Sequence, residues 1–349
     1  MAMRAAQTRQ VLLRTVISCI LGIVFFGDAR HVSEAASLYP VTTTDCNLKL
    51  DGPIEAGDLE RLKSAASRFE ETAEIKLCLN SPGGSYLEGL RLIEFILSDL
   101  HSLSTTIERD AECLSACALL FLVGHNKNQE MRPARRLHSL GILGFHGPYI
   151  KPGHQDYDPQ LMMKANRAGY KAVGRLLELN YPLLFPVSLL ATTLDKGFDA
   201  YVFVDTIAKI GAWDIELTGY RRPKQLTIGM LDQACLNFES WKVWTYDPES
   251  DGFQSQPRKM RVPVTFKQRR FRILLPDFGD EAVWFCAADA YDGGPRGLFI
   301  KVAMVADASD PSVSDQRGLE KAVTAERPRE TTPLWYIFPW STDLKSTAQ

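Results

Sequence analysis

The chain has 349 residues, of which 45% are hydrophobic and 23% charged, and its formal net charge at pH 7 is only −2. This composition is normal for a globular protein with a sizeable core, and it excludes a chain that binds nucleic acid through a large basic surface. The length allows one large domain or two domains of ordinary size.

The N-terminal segment has the pattern of an export signal. Three arginines within the first 14 residues precede a largely apolar stretch at 16–26. This stretch is too short to span a bilayer comfortably, and small residues suited to cleavage follow near Ala29 or Ala35. We therefore expect a signal peptide at 1–36, a periplasmic or secreted bacterial protein, and no stable membrane span after the signal is removed.

Export would place the cysteines in an oxidising compartment, where disulfides form. Six of the seven cysteines lie beyond the predicted signal peptide, and the sequence alone does not decide their pairing. Cys235 and Cys286 are both far downstream, which favours a disulfide between them. Cys113 and Cys117 are one helical turn apart, so a disulfide and a pair of buried thiols are both consistent with their spacing.

Residues 37–218 alternate between the apolar periods of strands and helices. The predicted elements are strands at 47–54, 74–80, 104–108 and 140–146, and helices at 56–69, 86–100, 114–123, 159–180 and 186–194. Apolar residues surround the helix at 114–123, so we expect it to be buried on all sides. Strand–helix alternation of this kind predicts an α/β fold with a mostly parallel sheet.

The chain changes character after about residue 220, where short aromatic and β-branched stretches replace the helical pattern. We expect a smaller β-rich C-terminal domain at 219–305. Residues 306–349 are expected to be a polar, mobile tail, and its apolar end, PLWYIFPW, could dock back on the body of the protein.

Three short segments carry candidate chemistry. Ser115 opens an apolar helix, where unpaired N–H groups and the helix dipole stabilise developing negative charge. Gly83 and Gly84 in the turn SPGGS can bring backbone N–H groups close to a ligand, as the oxyanion of acyl transfer requires. His146 follows a short strand, and a histidine is the usual base for a serine nucleophile. Taken singly, each has a structural explanation: a helix cap, a plain turn and a hydrogen-bonded structural histidine.

Taken together, the motifs resemble the Clp protease proteolytic subunit superfamily, which also includes signal peptide peptidase A and, more distantly, the crotonases. The matching segments are LNSPGGSYLEG (79–89), LSACALLFLVG (114–124), ILGFHGP (142–148) and DAYVFVDTIAKIGAWD (199–214). They resemble, in order, the family's glycine turn, its nucleophile helix, the stretch with its base and its end segment. The similarity covers about residues 45–216 and implies a ClpP/crotonase-like layered fold.

The resemblance also implies a role for each matching residue. Ser115 would be the nucleophile, His146 the general base, and Asp199 the carboxylate that orients the histidine. The N–H groups of Gly84 and Ala116 would form the oxyanion hole. No metal and no cofactor are implied.

Two positions depart from the family's pattern, and one assignment stays open. Leu114 stands where the family has a small residue, and Cys117 stands where glycine is common, which affects how a substrate would fit. Asp195 and Asp205 lie close to Asp199 in sequence and are alternatives for the third catalytic position.

The residues and the resemblance together predict an exported serine hydrolase. We expect a peptidase that forms an acyl-enzyme and acts on short or unfolded peptides, without a nucleic-acid partner and with homo-oligomer formation left open. The alternative is a catalytically inactive member of the same fold that binds peptides or takes part in an assembly.

Overall fold

The α/β pattern expected from the sequence is present as a mixed sheet with helices packed against it. The computed structural model describes residues 36–70, 73–126, 132–147, 185–196, 200–238, 240–241, 261–266, 270–276, 283–292, 298–307 and 332–349, together with Met163, Arg167 and Gly174. Residues 35–349 form one compact unit. None of the helices in the described residues combines the length and the apolar composition needed to cross a membrane.

Strands and helices alternate along the first two thirds of the described chain. The strands are β1 (Ser37–Pro40), β2 (Leu48–Asp51), β3 (Ile75–Asn80), β4 (Ser102–Ile107), β5 (Glu112–Leu114), β6 (His125–Asn126), β7 (Arg132–Pro133), β8 (Arg135–His138), β9 (Ile142–Phe145), β10 (Val202–Phe203), β11 (Glu216–Thr218), β12 (Arg261–Phe266), β13 (Arg270–Pro276), β14 (Val283–Asp292) and β15 (Leu298–Asp307). The helices are α1 (Asp58–Ala66), α2 (Tyr86–Asp99), α3 (Ala116–Leu122), α4 (Val187–Lys196), α5 (Ile207–Ala212) and α6 (Ile228–Phe238), with 3₁₀ turns at Leu334–Ile337 and Lys345–Thr347.

The larger sheet is parallel through its centre. Strands β2, β3, β4, β8 and β11 pair in that order, and each pair is parallel. β1 adds an antiparallel edge strand beside β2, and the short strands β6 and β7 add antiparallel pairs next to β4. Every residue of β4 is buried, as expected for a central strand of a sheet that is covered on its faces.

A smaller sheet of three strands stands beside the larger one. β5 pairs with β9 in parallel, and β10 pairs with the other side of β9 in the antiparallel direction. A parallel bridge between Ser81 and Cys113 joins the end of β3 to β5. The two sheets therefore meet where β3 ends, and the glycine turn begins at the same place.

Helix α3 is buried on nearly all sides, and it begins later than the sequence predicts. Six of its residues are buried: Ala116, Cys117, Ala118, Leu120, Phe121 and Leu122. The sequence analysis placed the start of the helix at residue 114, because the apolar run begins there. In the structure, the backbone of Glu112–Leu114 pairs with β9, so one apolar run is divided between a strand and a helix.

Arg135 holds the C-terminal end of α3. Its guanidinium is fully buried and donates hydrogen bonds to the carbonyl oxygens of Leu122 (3.2 Å), Asp214 (3.1 Å) and Trp213. Burial lowers the pKa of Arg135 to about 10, so the group stays charged at neutral pH. A cation at this position complements the negative end of the helix dipole and satisfies carbonyls that the helix itself leaves unpaired.

The C-terminal part of the chain contains both a sheet and a helix. β12 to β15 form a four-stranded antiparallel sheet. The sequence analysis saw few helical signals here, yet residues 228–238 form α6. Leu231, Ala234 and Cys235 are buried at helical spacing, but this period is short and gives a weaker signal than the aromatic stretches that follow it.

The apolar end of the chain packs against α6 and α5. Leu334, Trp335, Tyr336 and Ile337 are all buried. Asn237 on α6 donates hydrogen bonds to the carbonyl oxygens of Tyr336 (2.6 Å) and Phe338 (2.9 Å). The segment Leu334–Ile337 therefore forms part of the core.

Several predicted segments lie outside the described residues. They are the signal peptide up to residue 35, most of the helix expected at 159–180, Asp199, and the polar part of the C-terminal tail. The domain boundary expected near residue 218 stays a prediction.

Glu88 joins α2 to the start of α1. Its buried carboxylate accepts hydrogen bonds from the N–H groups of Gly57 (3.1 Å) and Leu59 (2.9 Å) and from the Arg91 guanidinium (3.2 Å). Burial raises the pKa of Glu88, but the hydrogen bonds from Leu59, Arg91 and Gly57 outweigh it, and the pKa lies below its usual 4.5. This contact fixes α2, which begins directly after the glycine turn.

We expect Glu88→Gln to lower the free energy of unfolding at pH 7 by about 1–2 kcal/mol, because charge-assisted hydrogen bonds become neutral ones. The loss of stability relative to wild type should be fully present above pH 4.5, the ordinary pKa of a glutamate side chain. It should disappear as the pH falls through the lower pKa that Glu88 has in the folded state. Urea unfolding at a series of pH values measures it. Glu60→Gln is the control, since Glu60 forms an exposed pair with Lys63 and should change stability by less than about 0.5 kcal/mol. Equal effects of the two variants at every pH would contradict the role of Glu88.

Candidate active site

The glycine turn leaves the sheet next to β5. Ser81, the residue after β3, forms two backbone hydrogen bonds with β5. Its N–H donates to Glu112 O (2.6 Å), and its carbonyl oxygen accepts from Leu114 N–H (3.0 Å). The fully buried Ser81 hydroxyl accepts a hydrogen bond from Gly83 N–H (3.1 Å). Ser81 therefore continues β3 alongside β5 and shapes the turn that follows.

Ser115 and His146 follow neighbouring parallel strands. Leu114 at the end of β5 lies opposite Gly144 in β9, and Ser115 N–H donates to Gly144 O (3.0 Å). His146 is the first residue after β9. Because parallel strands end at the same edge of a sheet, the glycine turn, Ser115 and His146 all emerge at one edge.

The backbone of Ser115 has an unusual conformation for a residue with a side chain. Its φ is +57° and its ψ is −122°, and strained conformations of this kind cost about 1–3 kcal/mol and cluster at active sites. The side chain caps no N–H group of α3, although capping is the commonest structural role of a serine at this position. Ser115 as a whole is half-buried. The structural explanation of Ser115 as a helix cap therefore does not hold.

Gly83 packs directly against this turn. Its φ is +92°, and a β-carbon at this position would lie 2.6 Å from Leu114 O and 2.7 Å from the Ser115 β-carbon. Only glycine allows so close an approach. The sequence predicts that these glycines bring backbone N–H groups close to a ligand, and the structure adds that Gly83 lies against Ser115, the candidate nucleophile.

Gly84 and Ala116 hold the two candidate oxyanion donors. Ile54 N–H donates to Gly83 O and Ser85 N–H donates to Ile54 O, both at 2.7 Å, so in this parallel bridge the N–H of Gly84 points away from Ile54. Ala116 is the first residue of α3, where an N–H has no acceptor within the helix. Within the described part of the chain, neither N–H donates a hydrogen bond to another group.

His146 is oriented by its neighbours. Its Nδ1 lies 2.7 Å from the carbonyl oxygen of Gly147. A carbonyl oxygen only accepts hydrogen bonds, so Nδ1 carries the proton and, in the neutral ring, Nε2 keeps its lone pair. The Tyr201 ring packs edge-on against the imidazole with ring centroids 4.9 Å apart. With the proton on Nδ1, Nε2 is the ring nitrogen that would accept a proton from a nucleophile.

The structure does not bond Ser115 to His146 directly. Among the described residues, no hydrogen bond joins the Ser115 hydroxyl to the imidazole. The contact that the structure establishes is between the strands that carry them, through Ser115 N–H and Gly144 O. Catalytic hydrogen bonds are often long in the absence of substrate and shorten in the reactive complex.

The third catalytic position stays a prediction, since Asp199 lies outside the described residues. Of its two alternatives, Asp195 is exposed near the end of α4. Asp205 pairs with Lys209 at 2.9 Å. β10 runs antiparallel to β9, so Asp205, two residues after β10, lies near the first residue of β9. His146 follows the last residue of β9, roughly 13 Å away along the strand. The choice among Asp195, Asp199 and Asp205 therefore stays open.

Two disulfides link cysteines of the described residues. Cys113 and Cys117 form one across Ser115, with their α-carbons 5.1 Å apart. Cys46 and Cys78 form the other, a pairing that the sequence analysis did not identify. Cys235 is also disulfide-bonded, while the side chain of Cys286 lies outside the described residues. Disulfides are compatible with export.

Tyr201 and Gly144 are site residues that the sequence analysis missed. Gly144 lies beside Leu114 and Phe203, and a β-carbon there would lie 2.9 Å from each of these side chains. Tyr201 and Phe203 stack on each other, with ring centroids 5.4 Å apart, and both rings are exposed. The signal was the alternation of Tyr201 and Phe203, but only the pairing of β10 with β9 brings the Tyr201 ring against His146 and Phe203 beside Gly144.

A second polar region is internally paired. A cavity of about 340 Å³ lies at the ends of β4 and β8. Arg136 on its wall pairs with Asp45 (2.9 Å), and Glu108 pairs with Lys49 (2.9 Å). Cys46 and Cys78 come close to Glu108, but their sulfur atoms are bonded to each other and are not thiolate ligands. This region therefore does not have the chemistry of a metal site.

Comparisons with known proteins do not assign the chain to a family. No family model matches it, and no curated protein matches it significantly.

We expect Gly83→Ala to destabilise the protein more than Gly57→Ala. Both glycines have φ near +100°, but a β-carbon on Gly57 has nothing within 4 Å, whereas one on Gly83 meets backbone atoms of the nucleophile turn. Gly57→Ala should cost about 1–2 kcal/mol for backbone strain, and Gly83→Ala should cost about 1–3 kcal/mol more for the clash. Chemical denaturation of the two variants measures both losses of stability. Equal losses would show that Gly83 is not in close contact with the turn.

Proposed function

We propose that the protein is a serine hydrolase, and specifically a peptidase, with Ser115 as nucleophile and His146 as general base. The observation that carries the proposal is the backbone of Ser115, which is held at φ +57° at the entrance of a buried helix while its side chain caps nothing. Strain at such a position requires support from the surrounding structure and is typical of active sites.

The positions of the groups support acyl transfer. The Ser115 hydroxyl would attack the carbonyl carbon of a peptide bond while the Nε2 atom of His146 takes its proton. The oxyanion that forms would accept hydrogen bonds from the N–H groups of Gly84 and Ala116, each worth about 3–4 kcal/mol in the transition state. His146 would then protonate the leaving amine, and water would hydrolyse the acyl-enzyme by the same steps in reverse.

The orientation of the base would come from two sources. The Gly147 carbonyl already binds the Nδ1 proton (2.7 Å), and the Tyr201 ring restricts rotation of the imidazole. Asp199 is proposed to stabilise the imidazolium that forms during attack, as the resemblance to the Clp protease proteolytic subunit superfamily implies. The proposal includes the ClpP/crotonase-like layering of the sheets and a distinct C-terminal β domain.

Several features support a peptide as the substrate. The exposed Tyr201 ring lies beside His146, the exposed Phe203 ring stacks on Tyr201, and the two rings would offer an apolar surface to a side chain of the substrate. If the protein is exported, as proposed, it works without an ATP-driven unfoldase, so short or already unfolded chains are the substrates expected.

A catalytically inactive binding or assembly protein is the second candidate. The observation in its favour is that, in the described residues, no hydrogen bond joins Ser115 to His146. The two candidates differ in one property, since only a hydrolase has a serine that reacts with an acylating or phosphonylating reagent.

We expect a fluorophosphonate probe to label the wild-type protein at one site and Ser115→Ala to abolish the labelling, because the probe reacts only with an activated serine. His146→Ala should slow labelling by about 10²–10⁴-fold, the usual contribution of a general base. Ser98→Ala is the matched control, because Ser98 is an exposed serine on α2 that hydrogen-bonds Glu94 O, and it should label at the wild-type rate.

Intact-protein mass spectrometry and circular dichroism would follow labelling and folding together. A well-folded wild-type protein that is not labelled would refute the hydrolase and leave the binding protein. Labelling that survives Ser115→Ala would place the reactive serine elsewhere.

A further inference from the structure

The disulfide between Cys113 and Cys117 spans the candidate nucleophile. Cys113 lies in β5 and Cys117 in α3, so the bond joins the strand before Ser115 to the helix after it. Both cysteines are fully buried. The bond therefore fixes the two elements that determine the direction of Ser115.

We infer that this disulfide is a positioning element that holds Ser115 in the conformation required for attack. The inference rests on the proposed function, because it assigns the cysteines a role at the same site. Only Leu114, Ser115 and Ala116 lie between the two linked positions, so the link restricts the backbone of a three-residue turn.

The conformation of Ser115 needs such a restraint. A positive φ is unfavourable for residues with a β-carbon, and a turn that is free to relax would return to a commoner conformation. Three hydrogen bonds hold the backbone of Ser115: its N–H donates to Gly144 O, and its carbonyl accepts from Ala118 N–H and Leu119 N–H. The first of these bonds joins Ser115 to β9 and the other two join it to α3, so the backbone of Ser115 lies between the two elements that the disulfide links.

The short span of the bond separates this role from general stabilisation. A disulfide stabilises a fold mainly by restricting the unfolded chain, and the effect increases with the length of the closed loop. Cys113 and Cys117 are separated by 4 positions, whereas Cys46 and Cys78 are separated by 32. The longer link should therefore contribute more to the melting temperature, and the shorter link should contribute more to the reactivity of Ser115.

The other disulfide is a matched control within the same chain. Cys46 and Cys78 are as deeply buried as Cys113 and Cys117, and they join the segment before β2 to β3. The experiment compares the double variants Cys113→Ala/Cys117→Ala and Cys46→Ala/Cys78→Ala with the wild type. It measures the second-order rate of fluorophosphonate labelling and the melting temperature of each protein.

We expect the labelling rate and the melting temperature to rank the two double variants in opposite orders. The Cys113→Ala/Cys117→Ala variant should be labelled about tenfold more slowly, because Ser115 occupies the reactive conformation for only part of the time. The Cys46→Ala/Cys78→Ala variant should show the larger fall in melting temperature and be labelled within about twofold of wild type. If the variant that is labelled more slowly is also the one with the larger fall in melting temperature, the disulfide is only a structural link and the inference is wrong.

Two further measurements keep the inference testable. If the double variant does not fold, Cys117→Ala alone removes the bond and leaves the Cys113 thiol in the core. If the wild type is not labelled, the proposed function fails, and amide hydrogen exchange decides the positioning role separately. The N–H groups of Ala118 and Leu119, which donate to Ser115 O, should exchange faster only in variants without the Cys113–Cys117 bond; unchanged exchange would overturn the inference.

Discussion

The strained turn at Ser115 is the constraint on which the site depends. The chain must pass from a strand of the smaller sheet into a helix that is buried on nearly all sides, and it does so through a single residue at φ +57°. That turn exists because several elements fix it at once. β9 fixes its N–H, Gly83 packs against its β-carbon, and the disulfide fixes the elements on each side.

The helix behind Ser115 is held at both ends, so the turn cannot relax by a shift of the helix. At the C-terminal end, the buried guanidinium of Arg135 binds the Leu122 carbonyl. At the N-terminal end, the approach of α2 is close, and a β-carbon on Gly89 would lie 3.3 Å from the Ala116 β-carbon. α2 is in turn fixed to α1 by the Glu88 carboxylate. Contacts distant from the candidate site thus hold α3 and α2 in place around the proposed oxyanion donors, which need rigid support to be effective.

Local pattern was enough to predict much of the sheet and the helices around the site. The predicted strand at 74–80 and the predicted helix at 86–100 agree with β3 and α2 within one residue at each end, because strong periodicity and the intervening Pro-Gly-Gly turn define them. The start of α3 could not be predicted from the apolar run, since the same residues satisfy a buried strand and a buried helix. α6 was missed because its short buried face, at Leu231, Ala234 and Cys235, lies beside a region rich in aromatic residues.

The candidate site was predictable only in part, for a physical reason. Residue types identified Ser115, His146 and the two glycines, but the partners of each depend on strand pairing between distant segments. The edge-on contact between Tyr201 and His146 arises because β10 returns antiparallel to β9, and the Cys46–Cys78 bond arises because the segment before β2 lies beside β3. No local pattern in the sequence encodes these pairings.

A crystal structure of the protein after reaction with a fluorophosphonate tests the central claim most directly. The account predicts a phosphonyl group on Ser115 Oγ, with its phosphoryl oxygen about 2.7–3.1 Å from the N–H nitrogen atoms of both Gly84 and Ala116. It also predicts that the His146 imidazole faces the bound group. An adduct on another residue, or a phosphoryl oxygen directed away from these two N–H groups, would contradict it.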